Sequence, residues 1–540
     1  MTATRIGLTS TPAPQAKPQA GRPAVVAAAI GGVTLLIRLA LHIHGSDLYG
    51  DEVIYTSLGR SVISGGFPNF EGQAFFLHGP GFFYLEAGWA RIIGNPPGLM
   101  ALVYEMRTLN ALLAGITAVV LVLLATRASS LRAGAVAGLL FALDPFCIRQ
   151  NDRALLETAM MLWVMLGYLV FTSLIGRLPS RRDWPFAVGA GLLFGCAVLT
   201  KDEGALLTVV PLLAAAALRW GPRRALTLLT VGTTVAVYVV YVEVVVLNGQ
   251  FSGLWEAKTS GIQRMLGLVQ ITGFNSAGGG SLSSRLIAEV GSFATTYIAL
   301  ALAVPALVVV IRRGDPLQRI LGLLYCAAAM TLGYAVAFGT LEEQELYLLI
   351  VPSLLIIPVA TTLLIERHFS RSVPLSRSVP RGHRRVLPIA VISGMLALAV
   401  CLNLATCVQW LRQPDDAVVR LLGYMGTHVP AGATVSDPTA TLNSQSDVTQ
   451  YALPPRYNVD PWLTPAARSQ NHVRYILVEW GLINLGYSTI PSTEVQHVVR
   501  QGRVLFSASG RSYGQVTLYE MPLPGASSVA SRGKRERAAR

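Results

Sequence analysis

From about residue 23 to residue 409 the chain alternates long apolar runs with short polar or basic loops. A helix needs about 20 apolar residues to cross a hydrocarbon core. The stretch Thr158–Ile175 and its flanks approach that length without a single charge. Hydropathy predicts roughly eleven spans, over 23–41, 105–126, 132–147, 157–175, 186–201, 204–219, 224–246, 291–311, 319–339, 346–365 and 387–409. The third and fifth are short. One soluble core could not hide so many apolar helices, so the pattern predicts an α-helical polytopic membrane protein. Residues 1–22, basic and rich in Pro and Ala, read as a disordered cytoplasmic tail. The run that follows is longer than a signal-peptide core and reads as a retained first span.

The polar interruptions set an orientation. Arg127 and Arg132, Arg177, Arg181 and Arg182, Arg219, Arg223 and Arg224, Arg312, Arg313 and Arg319, and the stretch Arg367 to Arg385 all fall in alternate loops. The positive-inside bias places these loops in the cytoplasm. The other loops then lie outside, with few basic residues, chiefly Arg149, Arg153 and Lys201. Two outer segments are long. Residues 42–104 carry amphipathic stretches, Val53–Ile63 and Phe82–Ile93, too short to span and suited to the membrane surface. Residues 247–289 contain a Gly-rich patch, Ser276 to Ser281, read as a mobile loop.

After Gln409 the pattern changes. Polar residues dominate, and the β-like runs Thr434–Val435, Tyr475–Val478 and Gln515–Tyr519 are separated by Gly and Pro turns. Residues 410–523 are therefore expected to form a small α/β domain outside the membrane, and 524–540 a basic, disordered tail.

Composition sharpens this picture at two points. Of 540 residues, 52% are hydrophobic and 13% charged, about half the charge of an ordinary soluble domain. The formal net charge of +14 sits in the loops that set topology, which removes nucleic acid as the partner it would otherwise suggest. The five cysteines lie in or beside apolar runs without a CxxC pair and read as small apolar residues.

Candidate chemistry gathers at the outer edge. Asp51 and Glu52 open the first outer loop as Gly50-Asp51-Glu52-Val53-Ile54-Tyr55, and His78-Gly79-Pro80 with Phe82-Phe83-Tyr84 follows. A carboxylate there reads as a solvated loop start or as a general base that takes a proton from an attacking hydroxyl. Asp152, Arg153, Glu157, Lys201 and the Glu342–Glu345 cluster come from other outer loops, and the topology puts all of them on one face. Lys201 and Arg153 can hold phosphate oxygens by charge-assisted hydrogen bonds, or can snorkel at the interface. Arg38, inside the first span, is expected to snorkel outward. His42, His44, Asp47 and Asp51 offer metal-ligating atoms, but His42-Ile43-His44 reads as an interfacial pair and no metal or other cofactor is assigned. The small-residue run Ala187–Gly191 reads as a close helix contact.

The long first outer loop opening on Asp-Glu, its later His-Gly-Pro with aromatics, and the span after it resemble bacterial membrane glycosyltransferases related to protein O-mannosyltransferases and aminoarabinose transferases. The likeness runs over roughly residues 23–365 and lies more in the order of elements than in one sharp motif. Asn151-Asp152-Arg153 to Glu157, Thr200-Lys201, and Glu345-Leu346-Tyr347 followed by Pro352 match further family features. The resemblance implies the GT-C fold over residues 23–409. It implies an inverting transfer of a mannose-like or arabinose-like sugar from a polyprenyl-phosphate donor in the bilayer, with Asp51 as base. Glu52 would position the base or the acceptor, Lys201 and Arg153 would hold the donor phosphate, and His78, Asp152, Glu157, Glu343, Glu345 and Tyr347 would be further substrate contacts. His78-Gly79-Pro80 departs from the family's His-Pro-Pro. Glu342, Glu343 and Glu345 stand where many members of that family have a basic residue before the tyrosine, a departure from the family pattern. The acceptor is open between protein, lipid and polysaccharide, in a bacterial cell membrane. A secondary transporter and a non-catalytic envelope assembly protein are the competing classes. Spans almost free of charge and without an evident repeat weigh against the transporter.

Overall fold

The computed structural model describes residues 21–70, 72–269, 282–339, 341–370, 382–438, 458–461, 464–470, 472–484, 488 and 490–522. Of the tail expected at 1–22, residues 1–20 lie outside the described residues, as do 524–540 and the Ser276–Ser281 patch, while Gly21 and Arg22 already belong to the first helix.

Each apolar run folds as helix. In chain order these are α1 (Gly21–Leu41), α4 (Leu99–Ala128), α5 (Leu131–Leu143) with α6 (Pro145–Asn151), α7 (Leu156–Thr172), α8 (Asp183–Thr200), α9 (Gly204–Leu218), α10 (Arg224–Leu247), α12 (Leu282–Arg313), α13 (Pro316–Ala337), α14 (Glu345–Ser370) and α15 (Gly382–Arg412). Among the described residues seven helices are long and apolar enough to span: α1, α4, α8, α10, α12 from Glu289 onward, α13, and α14 as far as Glu366. The pair α5–α6 makes an eighth if its 62° bend lies within one span, while α7 and α9 are shorter apolar helices. The amphipathic stretches of the first long loop form α2 (Gly50–Ser61) and α3 (Gly81–Ile93), with a two-residue hairpin of β1 (Asn69–Phe70) and β2 (Gln73–Ala74) between them. The second long segment holds a helix not foreseen from the pattern, α11 (Phe251–Met265).

The bend between α5 and α6 has a local cause. Asp144 leaves helical geometry, caps α6 by accepting from the Cys147 amide at 2.9 Å, and is followed by Pro145, a residue suited to a first helical position. The break orphans the last carbonyls of α5. Arg38 satisfies two of them, donating to the carbonyls of Ala142 at 2.7 Å and Phe141 at 3.1 Å. Its side chain is fully buried. Arg38 therefore caps a helix inside the bundle rather than snorkelling, because a buried cation with backbone acceptors at hand need not reach water.

Close helix contacts follow the small residues. At Gly191 and Gly195 an added Cβ would press on Thr233 and Val237 of α10, as the Ala187–Gly191 run led one to expect. Four of the basic loops converge on one end of the bundle. There Gln318 donates to the Ala128 carbonyl at 2.6 Å, Arg319 stacks over Trp220, and Arg223 pairs with Asp183 at 2.8 Å.

At the other end sits the C-terminal domain. It has a five-stranded sheet in the order β4-β3-β5-β7-β6, from β3 (Thr434–Asp437), β4 (Asn458–Pro461), β5 (Tyr475–Glu479), β6 (Arg503–Gly510) and β7 (Gly514–Glu520). Strands β3, β4 and β5 are parallel, and the β6–β7 hairpin is antiparallel. Helices α16 (Ala417–His428), α17 (Pro465–Gln470), α18 (Trp480–Asn484) and α19 (Ser492–Val499) complete it. Its apolar core takes in Leu48, Val53 and Val103 of the membrane domain beside Leu421, Leu477 and Val516. Burying such side chains contributes on the order of 1.5–3 kcal/mol each, so the two parts share one core.

Candidate active site

The site is built at the ends of helices that start or stop on the C-terminal-domain side of the bundle. Helix α2 begins at Gly50, so Asp51 and Glu52 fall in its first turn, where carboxylates suit the unsatisfied amides and the helix dipole. The two neighbours have different surroundings. Glu52 is fully buried and completes a capping box by accepting from the Tyr49 amide at 2.9 Å. It also accepts from Arg107 on α4 at 2.6 and 2.9 Å and from the Ala154 amide at 3.0 Å. With four donors the Glu52 carboxylate is saturated.

Among the described residues Asp51 has one weak donor, the Gln344 side-chain amide, at 3.3 Å. Burial, reinforced by Glu342 and then Glu157, pushes its carboxyl up to about 7, against the pull of Arg264 and Lys201. Charges from four other segments thus meet around Asp51. Lys201 follows the last turn of α8 and donates to Glu157, in the first turn of α7, at 2.6 Å, with Glu203 at 3.5 Å. Both Lys201 and Glu157 are almost wholly buried, at 2% and 1% exposed. Burial pulls the Lys201 ammonium down, but Glu157, Glu203 and Glu342 outweigh it and hold it well above its usual value. Helix α11 supplies Arg264, paired with Glu342, and Lys258, paired with Asp202 at 2.6 Å.

His78 lies beside this cluster, its Nε2 3.4 Å from the Tyr55 hydroxyl one turn beyond Asp51. Phe75 and Phe83 pack on the same two rings. Burial, with Lys201, Lys258 and Arg264 nearby, holds the imidazole well below its usual value, so it is neutral. The His-Gly-Pro sequence has a steric reason. A Cβ at Gly79 would collide with the backbone of Leu199 at the end of α8, so only glycine fits this backbone path.

Arg153 and Glu343 belong to a second cluster. Arg149 holds Glu343 at 2.9 Å, and Arg153 lies 3.6 Å from the same carboxylate. Arg153 also donates to the Ser512 hydroxyl at 3.2 Å and stacks over Tyr49 at 4.4 Å. It is committed to the C-terminal domain rather than set beside Lys201. Asp152 is buried without a hydrogen-bond partner among the described residues, next to Gly45. Burial pushes its carboxyl up to about 7 although Arg38, Arg107, Arg153 and Arg511 oppose this. Tyr347 is fully buried and accepts from Asn151 at 3.0 Å, facing the bend rather than the Asp51 cluster. One oxygen of Glu345 has no partner among the described residues. His42, Asp47 and Asp51 have separate partners, the Leu39 carbonyl, the Val418 amide and Gln344. Among the described residues no group of His, Cys, Asp or Glu is arranged to hold a metal ion.

The sequence reading did not single out Gln344, Arg264 or Lys258 for the site. The amphipathic periodicity of Phe251–Met265 was the signal for the last two.

A buried acid beside a buried lysine thus lies at one end of a polytopic helical bundle with a docked α/β domain, and the comparisons show which fold this is. The chain has the GT-C glycosyltransferase fold. It is similar to ArnT from Cupriavidus metallidurans bound to undecaprenyl phosphate, at 15% identity and a TM-score of 0.55, over 93% of this chain and 98% of that one. It is also similar to the oligosaccharyltransferase AglB from Archaeoglobus fulgidus in complex with an inhibitory peptide and a dolichol-phosphate, at 12% identity and a TM-score of 0.54, over 91% of this chain and 74% of that one. Residues 88–253 match the family model for dolichyl-phosphate-mannose-protein mannosyltransferase (PMT). That stretch includes Glu157 and Lys201 but stops short of Asp51 and the Glu342–Tyr347 segment. No curated protein matches the chain by sequence.

Proposed function

We propose that the protein is a membrane glycosyltransferase that moves a mannose-like or arabinose-like sugar from a polyprenyl-phosphate donor to a hydroxyl-bearing acceptor, with inversion. Asp51 accepts the proton of the attacking hydroxyl as its oxygen bonds to the anomeric carbon. The bond from that carbon to the phosphate oxygen breaks, and the polyprenyl phosphate leaves with the electron pair. Lys201 stabilises the phosphate charge, as a fixed cation in a water-poor site does most effectively. Glu52 acts as a positioning residue that fixes the first turn of α2. Arg153 acts on the same turn through Tyr49.

The observation that carries this reading is the Asp51 carboxyl, poised near neutrality beside the Lys201–Glu157 pair. A general base works best with a pKa near the operating pH. The dolichol-phosphate and undecaprenyl phosphate named with the two similar structures support a polyprenyl-phosphate donor. The basic loops at the far end support a site facing outward across a bacterial cell membrane.

Transfer from radiolabelled polyprenyl-phosphate sugars, in membranes holding equal amounts of wild type and Asp51→Asn, tests it. Loss of about 10²- to 10⁴-fold, the usual contribution of a general base, is the expected result. Full activity in Asp51→Asn removes the base, and no transfer by wild type from a broad donor panel removes the enzyme.

A further inference from the structure

The turn that delivers Asp51 is held from two sides. Five consecutive carbonyls, His44 to Leu48, each accept a hydrogen bond from outside the turn, and the donors come from two parts of the protein. Arg107 of α4 takes Ser46 at 2.8 Å and Asp47 at 2.9 Å while it also holds Glu52. The C-terminal side takes the other three. The Asp415 amide donates to His44 at 2.9 Å, Arg511 donates to Gly45 at 2.9 Å, and the Tyr513 hydroxyl donates to Leu48. Asp47 adds a side-chain link, accepting from the Val418 amide at 2.7 Å.

Arg511, Ser512 and Tyr513 form the tip of the β6–β7 hairpin. Asp415 organises that tip, accepting from the amides of Arg511 at 2.7 Å and Ser512 at 3.1 Å and from the Ser512 hydroxyl at 2.6 Å. The Tyr513 ring is 1% exposed and sits in the core that Leu48 and Val53 share with the sheet. Asp51 follows Leu48 by three positions, and one turn of helix carries both Asp51 and the anchored Glu52. A shift of this turn therefore moves the Asp51 carboxylate.

We propose that the hairpin tip is a positioning element for Asp51, with Tyr513 and Arg511 as the positioning residues, so that the C-terminal domain tunes the chemical step from outside the membrane. The inference rests on Asp51 being the base, as proposed above. It differs from a role of this domain in binding the acceptor, because the contacts made are with the catalytic turn.

The test uses the full-length protein in detergent or membranes with Tyr513→Phe, Arg511→Ala and Arg511→Lys. Tyr513→Phe keeps the buried ring and removes only the donor to Leu48. The expected result is a fall in kcat of roughly tenfold to a hundredfold, the scale on which a small misplacement of a reacting group acts. The KM for acceptor stays unchanged, and Arg511→Lys recovers part of the loss in Arg511→Ala. Amide hydrogen exchange over residues 48–53 should rise by about tenfold in Tyr513→Phe, while α7 and α8 keep wild-type protection. A raised acceptor KM with kcat intact overturns the proposal in favour of acceptor binding. Unchanged kcat with unchanged exchange overturns it outright. If wild type transfers no sugar, the base assignment fails separately. Exchange over 48–53 then still decides whether the tip holds the turn.

Discussion

Two clusters of buried charge lie side by side in this protein, and they are balanced differently. At the junction with the C-terminal domain, Arg149, Arg153 and Arg511 face Glu289, Glu343 and Asp415, and Asp152 beside them lies near Arg38, Arg107, Arg153 and Arg511. A cavity of about 20 Å³ among Arg149, Glu289, Asp415, Arg511 and Trp410 leaves room for about one water. Around Asp51 the balance is broken. Glu157, Glu203, Glu342 and Asp51 outnumber Lys201 and Arg264, and Asp51 is short of donors. A charge-balanced cluster holds parts together. An unbalanced one has a proton to exchange and a cation to re-pair, which suits a site that receives a charged ligand.

The largest effect that could break this contrast comes from Lys201. Lys201→Met should lower transfer by about 10²- to 10³-fold, as loss of one charge-stabilising group does. It should also destabilise the fold, because Glu157 is left buried and unpaired. The double variant Lys201→Met with Glu157→Gln separates the two effects. Thermal stability in detergent should return while transfer stays low. If transfer returned as well, Lys201 would be structural and the two clusters alike.

A smaller effect is the pH profile. Only the deprotonated Asp51 can accept a proton, and its carboxyl is pushed up to about 7 by burial and by Glu342. Transfer should therefore rise with pH, from about a tenth of its plateau at pH 6 to about nine-tenths at pH 8. Glu342→Gln removes a like charge and should move the acid limb to lower pH. An unmoved limb would mean that another group titrates.

The smallest effects belong to the junction and the surface. Glu343→Gln should cost about 1–3 kcal/mol of stability, the range for hydrogen bonds to a charged group. Transfer measured per folded molecule should change little. A large specific loss would return Glu343 to the substrate contacts expected from the sequence. At the sheet surface, Arg474→Ala breaks the pair with Glu520 and should cost under about 1 kcal/mol, read as a small change in melting temperature.

Much of this was legible along the chain. The apolar runs became helices, Val53–Ile63 and Phe82–Ile93 largely became the helices α2 and α3, and three of the strands fell on the β-like runs. These features follow from local periodicity and span length, which a single segment carries in full. Asp51 and Lys201 were also legible as neighbours, because topology alone puts alternate loops on one face. The spacing within a face was not. Arg153 and Lys201 looked like one phosphate clamp, yet Arg153 turns to Glu343 and Ser512, a residue 359 positions away. Arg38 looked like a snorkelling cation until the bend at Asp144 supplied it with carbonyls.

The sequence by itself determined the membrane architecture, the separate C-terminal domain and the set of charged residues at one face, because hydropathy and helix length act within short stretches. Only the tertiary structure decided what each acid does. Asp51 and Glu52 are adjacent and chemically alike, and nothing local separates them. Arg107, 55 residues further on, saturates Glu52, and the Glu342 carboxylate and a burial no linear pattern reveals set Asp51 near neutrality. Desolvation and pairing depend on which distant groups the fold brings within a few ångströms, and that decides whether a carboxylate is saturated with donors or left short of them.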